Sequence, residues 1–140
     1  MKQRQLPVFL HEVFGERQSF LMIGIIVLFG VGLTTALSFQ FPNMYDGLSL
    51  WRSILAFILI FDIISGCLAN FTVSTSNYYA KHAGKRWLFI SIHVHILLVA
   101  LLLGTSLWHA FAVWLYTILG AAIVNVIRGN NQLFIGGLLL

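Results

Sequence analysis

Charge is scarce in this sequence: Asp, Glu, Lys and Arg make up 9% of its 140 residues, against 59% hydrophobic. That balance excludes an ordinary soluble domain. It also excludes a disordered chain, which needs low hydrophobicity and high net charge. There is one cysteine, Cys67, and it lies inside an apolar run, so no intramolecular disulfide can form. Glycine-rich phosphate loops, nucleophile elbows and cysteine pairs are all absent. The formal charge of +4 would suit a nucleic-acid partner if it were clustered. The basic residues are instead scattered at the ends of apolar runs, so no nucleic acid is expected.

What the sequence has is length without charge. A membrane crossing needs about 20 apolar residues at 1.5 Å of rise each. The spacing predicts an all-α integral membrane bundle of four transmembrane helices in a single domain, with spans at about 20–39, 48–72, 87–104 and 107–127. The first run is longer than a signal-peptide core and is expected to be retained. Gly24, Gly30 and Gly32 within it would let neighbouring helices approach closely. Thr34, Thr35 and Ser38 are expected to bond back to their own helix. Residues 87–127 contain no Asp, Glu, Lys or Arg, too long for one crossing, and Gly104-Thr-Ser106 divides them. Residues 128–140 form a turn followed by an apolar stretch too short to cross, read either as a half-span or as the start of a fifth helix. Residues 1–19 are expected to be a surface helix entered at Pro7, or a disordered tail. Lys81–Arg86 is the clearest loop.

Seven of the eight Lys and Arg residues lie in the N-terminal segment, the second-to-third link and the C-terminal turn; Arg52 alone lies in the first link. Positive loops stay cytoplasmic, so the N-terminus and the Lys81–Arg86 loop are expected inside, and the plasma membrane is the expected location. Lys81, Lys85 and Arg86 also form a basic group suited to anionic lipid.

The chemistry concentrates in the second span. Asp62 is an acid at bilayer depth, a placement costing from roughly 3 kcal/mol on insertion scales to more than 10 in simulations. On a continuous helix Ser65, Gly66, Ala69, Asn70, Val73, Ser76 and Asn77 share a face roughly 160° wide with Asp62. Phe61, Ile64, Leu68 and Phe71 fall on the lipid side. Span three carries His93 and His95, about 200° apart on a helix and so unable to face one partner. His95 is the favoured partner of Asp62, flanked by Ser91 and Val99, with His93 as the alternative. The candidate site is Asp62, Asn70, His93 and His95, with Ser65, Thr75, Asn77, His109 and Tyr116 as secondary candidates.

An Asp–His pair at this depth suits proton-coupled movement of a small solute, in a homo-oligomer or larger complex because four short helices enclose little space. The competing readings are a non-catalytic accessory or assembly protein whose pair fixes helix packing, and an intramembrane enzyme or redox protein. No catalytic residue is assigned. Haem or metal held by His93, His95 and His109 is not expected, because their depths match poorly and no ligand spacing is present.

Overall fold

The structure is a computed structural model that describes residues 3–91, 93–127 and 135. The half-span expected over 128–140 falls, Ile135 aside, outside the described residues. Four helices are long and apolar enough to cross a membrane: Phe20–Gln40, Leu50–Asn70, Ala83–Leu103 and Leu107–Val126, with mean hydropathies of 2.4, 2.0, 2.0 and 1.7.

The chain begins with a small folded cap. Strands β1 (Arg4–Gln5) and β2 (Arg17–Gln18) pair antiparallel and close a loop holding a 3-10 turn, Val8–Leu10, and one helical turn, α1 (His11–Phe14). Neither the surface helix nor the disordered tail expected here is what forms. The reason is long-range: this segment packs on α4 (Val73–Lys81), about sixty residues away. Gly15 makes that contact possible. Its φ is +75°, and a Cβ there would overlap both the backbone and the hydroxyl of Ser74.

Helix α2 (Phe20–Gln40) is capped by Ser19, whose side chain accepts from the Met22 amide at 3.2 Å. Thr34 and Ser38 donate to the Gly30 and Thr34 carbonyls at 2.7 and 2.9 Å, as their positions predict. After a turn at Pro42–Tyr45, α3 (Leu50–Asn70) returns. The two helices meet closely at Gly30, where a Cβ would collide with the Ser65 hydroxyl and lie 2.9 Å from the Phe61 ring. Gly24 and Gly32 face open space instead, so only one of the three glycines serves this contact.

The polar face expected to run unbroken from Asp62 to Asn77 is interrupted. Helix α3 ends at Asn70, and Thr72 caps a new helix by accepting from the Thr75 amide at 3.3 Å. A side-chain acceptor of this kind competes with helix continuation and wins here. The expected loop at Lys81–Arg86 also contracts, because only His82 separates α4 from α5 (Ala83–Ser91). The third apolar stretch is itself broken: α5 is described to Ser91, His93 and Val94 are not helical, and α6 (His95–Leu103) follows. Gly104 ends α6 and α7 (Leu107–Val126) follows, the division expected at 104–106.

Packing is serial. The strongest contacts run from α2 to α3, from α3 to α6 and from α6 to α7, with little between α2 and α7. Such a row leaves apolar surface exposed on its flanks, including Leu28, Leu50, Leu101 and Trp108. In water that exposure would be unfavourable by about 25 cal/mol per Å².

Candidate functional site: a carboxylate beside a broken helix

Asp62 lies eight residues, about 12 Å of helix, before the end of α3. Its Oδ2 is 3.6 Å from Nδ1 of His95, the first residue of α6. The distance is too long for a good hydrogen bond and within the range of a loose ion pair. Neither group is sealed in: the Asp62 side chain is 58% exposed and that of His95 30%.

The break between α5 and α6 changes which histidines can meet. On a continuous helix His93 and His95 would diverge; here their ring centroids are 5.7 Å apart, edge to face. His93 Nδ1 lies 3.1 Å from the Phe89 carbonyl. A carbonyl only accepts, so Nδ1 carries the proton in that bond. The His93 amide bonds the Ile90 carbonyl, and the Leu97 and Leu98 amides both reach the Val94 carbonyl, so the break is stitched by its own backbone.

The remaining candidates disperse. Ser65 is buried against Gly30, its hydroxyl without a partner among the described residues. Phe61, placed on the lipid side by the helical wheel, packs toward α2, while Asp62 is exposed. Asn70 and Asn77 are exposed on different helices. Thr75 is fully buried in the cap interface, where its hydroxyl donates to the Val13 carbonyl at 3.1 Å and receives Thr72 Oγ1 at 3.0 Å. His109 is exposed at the start of α7 and bonds Ser106 Oγ at 2.8 Å, while Tyr116 sits exposed further along that helix. Among the described residues, no three His, Cys, Asp or Glu side chains group to hold a metal.

A row of rings joins the cap to the carboxylate: Tyr78 to Tyr79 at 5.4 Å, Tyr79 to Phe89 at 5.1 Å, Phe89 to His93 at 4.4 Å, then His95 and Asp62. Tyr79 is anchored by donating to the Glu12 carbonyl at 2.8 Å. Burial, with the nearby Glu12 and Tyr78, pushes its phenol up to about 12. The i, i+4 spacing of Phe89 and His93 is visible in the sequence; the approach of Tyr79 to Phe89 across the α4–α5 turn is not.

The chain matches no protein-family model, no curated protein and no solved structure.

Proposed function

We propose that this chain is an integral protein of the plasma membrane with four crossings, whose Asp62–His95 pair takes up and releases protons to drive movement of a small solute. The helix lengths and hydropathies support the membrane setting. The basic residues of the cap and of α4–α5 favour a cytoplasmic position for that end. The observation that carries the functional reading is a carboxylate 3.6 Å from an imidazole at a break in an apolar helix. Irregular backbone at membrane depth is tolerated where it is buried in protein or lines a water-filled cavity, and broken helices in transporters line such sites. An intramembrane acid beside a histidine supplies two groups that can exchange a proton.

The serial packing of α2, α3, α6 and α7 encloses little space, so the working unit is an assembly of copies, with Asp62 on the face they share. The same exposure favours a second reading, in which Asp62 and His95 form a polar contact to another membrane protein and carry no proton. Proteoliposomes with a pH-sensitive interior dye separate the two. Asp62→Asn is expected to reduce proton entry to the level of empty vesicles, with the variant inserted as fully as the wild type. Proton entry that survives the change rules out the carrier reading and leaves the assembly contact.

A further inference from the structure

Between the cap and α4 lies a polar cleft of about 160 Å³ unconnected with Asp62. Helix α4 contributes Ser74, Asn77 and Lys81, which share one face at i, i+3 and i+7; the cap contributes Gln3, Glu16 and Arg17. From these residues we propose that the cleft binds the monoanionic phosphodiester of a phospholipid headgroup.

Charge is the first argument. Arg17 and Lys81 bring two positive charges and Glu16 one negative, leaving the cleft at about +1, the complement of one phosphodiester. Lys81 and Glu16 are 3.7 Å apart with side chains 64% and 44% exposed, an ion pair loose enough to be exchanged for a stronger anion. Among the described residues the Arg17 guanidinium has no carboxylate partner, and its planar fork suits two phosphate oxygens. Ser74, Asn77 and Gln3 add neutral hydrogen-bonding groups around the same space.

Position is the second. Arg17 comes three residues before α2 begins at Phe20, and Ser74 four residues after α3 ends at Asn70. The cleft therefore opens at the level where two apolar helices give way to polar chain, which is where headgroups lie. Arg4 stacks its guanidinium over the exposed Phe20 ring at 5.1 Å, as expected of an amphipathic side chain at such a boundary.

The basic group read from the sequence is divided by the fold. Lys85 is engaged by Glu12 at 3.0 Å and by the Tyr78 hydroxyl at 2.7 Å, and of the three only Lys81 lines the cleft. Arg17, distant in sequence, takes the place of the others.

The site rests on the membrane reading for its lipid source alone, and two probes keep the questions apart. The full chain is reconstituted in nanodiscs of phosphatidylglycerol or phosphatidylcholine and scored for retained lipid by native mass spectrometry. Glycerophosphoglycerol is titrated onto the chain in neutral detergent. Arg17→Gln and Lys81→Gln are each expected to weaken retention of phosphatidylglycerol about tenfold, the loss of one charge-assisted hydrogen bond. Lys81→Arg restores it, and Glu16→Gln tightens it by removing the competing carboxylate. Arg52→Gln, remote from the cleft, leaves it unchanged, as does Asp62→Asn. The same pattern with glycerophosphoglycerol but not with lipid keeps the phosphodiester site and assigns its source to solution. Retention that falls equally in Arg52→Gln, or that survives the Arg17→Gln/Lys81→Gln double variant with native helicity, overturns the proposal.

Discussion

The cap and the Asp62 site are both polar, and they satisfy their polar groups in opposite ways. Around α4, Thr72 and Thr75 bond each other, Thr75 and Tyr79 reach the carbonyls of Val13 and Glu12, and Lys85 meets Glu12. At mid-span, Asp62 has one loose partner and more than half its side-chain surface open. Saturated polar networks hold elements together, whereas an under-partnered charge in an apolar span persists where something else uses or covers it. The contrast sets a saturated structural region against the site on which the proposed function rests, and it can be attacked from both sides.

The largest expected effect lies in the cap. Gly15→Val forces a β-branched residue to positive φ and drives its side chain into Ser74, so the cap should detach from α4. A loss of about 3 kcal/mol, adding left-handed strain to overpacking, is expected in denaturant titration, together with rapid proteolysis within residues 1–19. A protected N-terminus in that variant would mean the cap is not held by this contact. Asp62→Asn should do the reverse, abolishing proton entry while leaving the unfolding midpoint unchanged or raised, since removing a half-exposed charge from an apolar span relieves a cost. A large fall in midpoint would move Asp62 into the structural class.

A smaller effect distinguishes the cap by pH. The Tyr79 phenol, raised from 10 to about 12, stays neutral in the folded chain where the unfolded chain ionises. Its contribution is therefore constant below pH 10 and lost as pH rises from 10 toward 12, because the unfolded state then binds fewer protons. Unfolding midpoints of wild type and Tyr79→Phe across that range should converge with rising pH. Parallel curves would show that the phenol is not held by the Glu12 carbonyl.

The four long helices are legible because apolar runs of about twenty residues with few charges are a signal that tertiary structure cannot overrule. The turn at Gly104–Ser106 and the back-bonded hydroxyls of α2 follow equally from local chemistry. The proximity of Asp62 and His95 can be anticipated from depth alone, but the geometry around it cannot. The break at His93 and Val94 carries no proline or glycine, so nothing in the string marks it, and the helical wheel wrongly separates His93 from His95. Thr72 as a helix cap is visible as a residue type but competes with a polar face that, on a continuous helix, runs on to Asn77. The cap depends on contacts such as Thr75 with Val13 and Tyr79 with Glu12, more than sixty residues apart, which local periodicity does not encode.

Water access beside Asp62 tests the central claim most directly, because a proton carrier must be reached by water. Gly66 lies one turn from Asp62 on α3, and a Cβ added there would meet no atom within 4 Å, so a cysteine fits with the acid intact. In a Cys67→Ser background, Gly66→Cys in sealed vesicles is expected to react with a membrane-impermeant thiol reagent, while Leu28→Cys, exposed on the apolar surface of α2, does not. Silence at both positions would contradict a water-accessible Asp62 and with it the proton-carrying role.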